Sequence, residues 1–126
     1  MAYDSKAGAV DLSLIASGDL SSSQYRFVQL SADNTVVICT GITDVPVGVL
    51  QNKPTSGQAA TVRCAGISKL ECGASLSAGD IVATATDAQA QVAVSTQHVA
   101  GQIIEGAAAD EVGTASISCL APSIKA

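Results

Sequence analysis

The side chains with the most reactive potential in this 126-residue chain are Cys39, Cys64, Cys72, Cys119 and the single histidine, His98. Thiols bind zinc or run redox chemistry when at least two lie close in sequence, typically as C-x-x-C. Here the gaps are long and irregular, and no C-x-x-C occurs. One histidine cannot supply a His-based metal site, and no nucleophile–base–orienter set can be assembled around His98. The cysteines therefore read as small apolar groups inside strands, reduced rather than paired. Cys64 alternates with Val62, so both should face the same side.

The carboxylates offer no better constellation. Asp44, Asp80, Asp87 and Asp110 all stand beside turn residues, where aspartate satisfies backbone N–H groups. Gly57 and Gly66 are isolated, no G-K-[ST] follows either, and no dinucleotide fingerprint is present. The expectation is a protein with no catalytic residues, no bound metal and no cofactor.

The elements that would carry these residues are strands. Apolar residues recur with period two, or in short runs bounded by turn formers, and helical periodicity is nearly absent. Candidate strands cover Val10–Ile15, Tyr25–Leu30, Val36–Thr40, Val47–Gln51, Ala60–Cys64, Ser68–Glu71, Ile81–Thr84, Gln91–Val94, Ala100–Glu105 and Thr114–Leu120. Ala32-Asp33-Asn34-Thr35 joins two of them as a hairpin loop. Lys53-Pro54-Thr55-Ser56-Gly57 and Ser77-Ala78-Gly79-Asp80 supply further corners. Ala107–Glu111 is too short for a stable helix and reads as a loop. About ten short strands at roughly ten-residue spacing predict an all-β fold, a small barrel or sandwich.

Two segments echo each other. V-P-V-G-V-L-Q followed by A-T-V-R resembles H-V-A-G-Q-I-I-E followed by A-S-I-S. The match reads either as a repeated hairpin unit or as chance similarity between Gly/Val-rich hairpins.

The first 24 residues differ from the rest. An alternating patch, Val10-Asp11-Leu12-Ser13-Leu14-Ile15, precedes the run Ser21-Ser22-Ser23. Leu12 and Leu14 share one face of an extended segment. One reading is an arm, residues 1–24, that adds to a neighbouring subunit's sheet while residues 25–126 form a compact β-domain. The other is an ordinary first strand of the barrel.

Composition narrows the function classes. The chain has 22 alanines, no Trp, one Phe and two Tyr, so its core must be thin and aliphatic. A thin core suggests that association with other chains adds stability. The net charge is −5, and Lys6, Arg26, Lys53, Arg63, Lys69 and Lys125 are scattered, which argues against nucleic-acid binding. No run reaches the roughly 18 apolar residues that span a bilayer, and the N-terminus lacks a signal-type apolar run. A cytosolic origin and no membrane partner are the expectation.

The block V-P-V-G-V-L-Q-N-K-P-T-S-G-Q-A-A-T-V-R-C-A-G-I-S-K-L, with G-A-S-L-S-A-G-D-I-V after it and H-V-A-G-Q-I-I-E-G-A-A-A-D-E near the end, resembles the small capsid cement, or head decoration, proteins of tailed bacteriophages. The likeness spans roughly residues 10–118. Its specific elements are the Val-Gly-Val-Leu strand at 47–50, the Ala-Gly-Ile corners at 65–67 and the Ala-Gly-Asp-Ile-Val corner at 78–82. The resemblance implies a β-rich protein made in the host cytoplasm and added to the outer surface of the head. Its partners would be the major capsid protein and copies of itself, as a homotrimer, and it would bridge capsomers against the pressure of packaged DNA. Val10, Leu12, Leu14, Ile15, Lys53 and Pro54 are the candidate contact residues.

Two other classes compete. A β-rich module of a tail or cell surface would recognise carbohydrate or protein, but sugar sites usually stack on Trp or Tyr, which are scarce here. A carrier domain would need a modified lysine at a hairpin tip. Lys53 in Q-N-K-P is its only candidate, and the following proline is unlike the usual context.

Overall fold

The computed structural model describes residues 9–120 and 123–125. In chain order the strands are β1 (Val10–Ala16), β2 (Phe27–Ala32), β3 (Thr35–Ile38), β4 (Gly48–Leu50), β5 (Ala59–Glu71), β6 (Ile81–Thr84), β7 (Ala90–Val92), β8 (His98–Val99), β9 (Gly101–Glu105), β10 (Val112–Ser118) and β11 (Ser123–Ile124). No helix occurs among the described residues, so the fold is all-β as the period-two pattern predicts.

Five strands close into a barrel in the order β1-β3-β2-β4-β5 and back to β1. The β1–β3 pair is parallel and the other four are antiparallel. The sheet then leaves the barrel through β5 and continues β10-β9-β6-β7. A separate two-stranded pair, β8 with β11, accounts for the remaining strands among the described residues.

Closure depends on β5. It is a single strand of 13 residues, where the sequence suggested two shorter strands with corners at Ala65-Gly66-Ile67. Its first half pairs with β1 and β4, and its second half pairs with β10. Ala65 stands at the junction, opposite both Val10 and Ser118. The bend falls at Gly66, which has φ +112, and a Cβ there would lie 2.9 Å from the Cα of Ala9. Glycine is required on both counts. What reads locally as a corner is a bend inside one continuous ladder.

Two cores follow from this layout. Leu14, Ala16, Leu20, Val28, Val36, Leu50, Ala60, Val62 and Cys64 fill the barrel. Phe27, Val49, Leu70, Val82, Ile103 and Ile117 belong to a second core between the barrel wall and the sheet extension. Neighbours such as Phe27/Val28 and Val49/Leu50 are fully buried on opposite sides, because β2 and β4 have a core on each face. This explains why V-G-V-L is a continuous apolar run rather than an alternating one. Val62 and Cys64 do share the barrel side, as their spacing requires.

The arm reading of residues 1–24 is where the structure differs most from expectation. Val10–Ile15 pairs along β5, and Leu14, Ala16 and Leu20 enter the barrel core. Residues 10–24 thus belong to the body, and no boundary falls at 24/25. The serine run is a turn: Ser23 N–H donates to Leu20 O, Arg26 N–H to Ser23 O, and Ser21 N–H to Asp19. The reason is backbone satisfaction, since β5 offers a complete antiparallel ladder within the same chain. Residues 1–8 of the expected arm lie outside the described residues. β8 and β11, two residues each, were not foreseen, being too short to show a period.

The echoed segments form equivalent hairpins, β4 with β5 and β9 with β10. A Cβ on Gly48 would lie 2.4 Å from the Arg63 carbonyl oxygen, and one on Gly101 would lie 2.1 Å from that of Ser116. In both hairpins the strand-opening glycine lets the two backbones approach closely.

Candidate functional site

The four thiols lie packed inside the fold. All four cysteines are free and buried. Burial pushes the Cys39 and Cys119 thiols up to about 12, helped at Cys39 by the nearby Asp44 carboxylate and at Cys119 by Cys64. Burial also raises Cys64 and Cys72. A nucleophile or a metal ligand must be thiolate, and these environments oppose it.

The turn aspartates do as expected at three positions. Asp44 accepts from the N–H groups of Thr40 and Gly41 at 2.9 and 2.8 Å. Asp80 accepts from Ser77 N–H and Asp87 from Gln89 N–H. Asp110 instead accepts from the Gln89 side-chain amide, which also donates to Glu71. Glu71 in turn holds Arg26, so this polar cluster ties the barrel to the sheet extension. His98 is half-buried in β8, and its Nδ1 has no partner. Among the described residues no three His, Cys, Asp or Glu side chains gather as a metal site.

The surface feature that needs explanation is apolar. On β1, Leu12 has the same parity as the core residues Leu14 and Ala16, and so points inward. On β2, Leu30 has the same parity as the core residue Val28. Yet Leu12 is 38% and Leu30 55% exposed. Both lie at one end of the barrel, where nothing in the described chain caps the interior. Leu12, Leu14, Leu30, Ala32, Asp33, Asn34 and Val47 line a cleft of ≈ 380 Å³ at this mouth. A second cleft of ≈ 490 Å³ adjoins it through Leu30 and Val47 and extends over Val45, Pro46 and Asp44. Exposed apolar side chains clustered at a concavity mark interaction surfaces more than scattered ones do.

The six contact residues named from sequence do not form one patch. Leu12 and Leu14 line the mouth, with Leu14 mostly buried. Val10 is exposed at the start of β1, and Ile15 is exposed on its outward face. Lys53 and Pro54 lie beyond the other end of β1: Pro54 O accepts from Leu20 N–H and Gly57 N–H donates to Ala16 O. Lys53 is exposed there and Pro54 is buried. Leu30, Val45 and Val47 were not singled out. The available signal was Leu30 two residues after Val28 and two before a polar hairpin tip.

No known protein family matches the chain, and no curated protein matches it. A search of solved structures does find a likeness of fold. The crystal structure of the head fiber gp8.5 N base in bacteriophage phi29 superposes with a TM-score of 0.68 at 19% identity. The match covers 94% of this chain and 99% of that one.

Proposed function

We propose that this protein is a non-enzymatic structural component of a tailed-phage virion that sits on the outside of the head. One observation carries the reading: nearly the whole chain has the fold of a head fiber base, with 99% of that domain matched. The resemblance of its Val-Gly-Val-Leu, Ala-Gly-Ile and Ala-Gly-Asp-Ile-Val segments to cement proteins supports the same reading. So do thiols held in the unreactive form and turn carboxylates engaged with backbone amides. In the finer form of the proposal the protein is a cement protein, a homotrimer bridging neighbouring copies of the major capsid protein. A second form, a basal domain carrying a fibre, is favoured by the neighbour's being a fibre base.

The test is co-sedimentation of the purified protein with phage heads lacking it, followed by cryo-electron microscopy. Added density on the outer surface between capsomers is the expected result. Three-subunit density that ends at the domain supports cement, and density continuing outward supports a fibre base. Protein that stays in the supernatant at saturating concentration overturns the proposal.

A further inference from the structure

β1 is paired along its whole length on one side only. On the β5 side the ladder runs from Val10 to Ile15. On the other side, among the described residues, β3 meets β1 only at Ile15 and Ala16. The hairpin tip at Asp33-Asn34 ends β3 there, and β1 projects beyond it. Hydrogen-bond direction alternates along a strand. Ala16 N–H donates toward the β5 side, to Gln58 O at 2.9 Å, and Ile15 N–H donates toward the β3 side, to Asn34 O at 2.8 Å. Asp11 and Ser13 share the parity of Ile15, so their N–H and C=O groups aim at the unpaired side. A strand edge of this kind is a template for another extended chain.

The edge borders the apolar barrel mouth. Leu12 and Leu30 are inward-facing leucines left exposed beside it. Asp33 and Asp44 border the two clefts, and no Lys or Arg lines either one. Three independent properties therefore select the occupant. Unpaired backbone groups require main chain in extended form. An apolar floor requires apolar side chains at every second position. Asp33 and Asp44 at the rim, with no Lys or Arg lining either cleft, favour a basic residue on the occupant.

We infer that the edge from Val10 to Leu14 accepts one strand from a different protein, apolar at alternate positions and carrying Lys or Arg, which caps the barrel mouth. This deepens the virion proposal, in which the shell protein supplies the strand. Main-chain bonds to Asp11 and Ser13 give affinity, and the pocket at Leu12 and Leu30 gives specificity.

One backbone-selective variant and its side-chain control test it. Ser13→Pro removes an N–H that points away from the β5 ladder, a position where an edge strand tolerates proline. Ser13→Ala removes only the outward hydroxyl. On heads lacking the protein, Ser13→Pro and Leu30→Asp are expected to bind roughly tenfold or more weakly than the parent, with Ser13→Ala unchanged. Thermal unfolding of each variant checks that the fold persists. Parent-like binding by Ser13→Pro overturns the inference and leaves the virion proposal standing.

A second measurement does not depend on heads. A capped synthetic peptide alternating valine with lysine is titrated into the labelled protein and followed by NMR. Shifts and slowed exchange at the Asp11 and Ser13 amides are expected, with an otherwise matched valine–glutamate peptide causing none. If the parent protein fails to bind heads, the virion proposal falls and this titration decides the inference. Equal response to both peptides, or no response, overturns it. Ser13 amide protection that is present without peptide and vanishes on deleting residues 1–8 identifies the chain's own terminus as the occupant and also overturns it. Protection that rises with protein concentration identifies a second copy and overturns it likewise.

Discussion

Arg63 grips Asp11 across the β5–β1 seam with two parallel bonds, Nε to Oδ1 at 2.8 Å and Nη2 to Oδ2 at 3.0 Å. The two residues are register partners, and the alternation of the ladder makes theirs a non-hydrogen-bonded pair, in which side chains come closest. The remaining guanidinium nitrogen donates to Ile67 O at 2.8 Å, just past the Gly66 bend. One side chain thus links barrel closure to the bend that permits it.

This pair makes stability depend on acid. The Arg63 hydrogen bonds, with its charge, hold the Asp11 carboxyl below its ordinary value despite partial burial. A depressed carboxylate contributes stability above the unfolded pKa and loses it as pH falls through the folded one. Asp11 is 36% exposed, so solvent screening keeps the contribution small. Asp11→Asn should cost about 0.5–1 kcal/mol at neutral pH. The urea-unfolding gap between parent and variant should begin to close below about pH 4 and vanish once pH is below the depressed folded value. A gap that persists undiminished in acid would mean that the pair is not the source.

Gly48 and Gly101 should both resist replacement. Alanine at either would press a methyl into the carbonyl of Arg63 or Ser116, backbone atoms that cannot swing aside. Each substitution should cost about 3 kcal/mol through strand displacement. A similar loss at both positions in thermal unfolding supports the equivalence of the two hairpins. Tolerance at one position alone would break it.

Gln97 is a buried clasp between its own turn and the loop at Ile42. Its Oε1 accepts from Val94 N–H at 2.8 Å, and its Nε2 donates to Ile42 O at 3.1 Å. Gln97→Ala leaves both backbone groups without partners and should cost about 1–3 kcal/mol. Hydrogen exchange should accelerate at Val94 more than at Val82. Uniform acceleration would indicate global loosening instead of a local release.

The thiols should be silent in the native protein. Iodoacetamide at neutral pH should label none of the four until the chain is unfolded, and then all four. The alkaline dependence follows from the raised values. Stability is fully present below about 9 and is lost as pH rises toward about 12, because only the unfolded state ionises Cys39 and Cys119 easily. Replacing both by alanine should flatten that decline. Labelling of a native thiol at the rate of a free cysteine would contradict the burial.

Local chemistry made much of this fold legible. Period-two alternation located nine of the observed strands to within a few residues, with β5 drawn as two pieces. Asp44, Asp80 and Asp87 could be assigned because their partners are near in sequence, and Cys64 because its burial follows from strand parity.

Residue order alone thus specifies the menu of strands, the faces each presents and the chemistry that is missing. The pairings come from the folded arrangement. An alternating segment such as Val10–Ile15 has the same pattern whether it adds to another subunit or to β5 some fifty positions later, since a ladder needs only parity and register. Gly66 has no local mark that separates a corner from a bend, and only its closeness to Ala9 explains it. Leu12 and Leu30 carry the parity of core residues, and their exposure follows from where the β2–β3 hairpin ends relative to β1. That offset is a property of barrel closure, which no stretch of adjacent residues encodes.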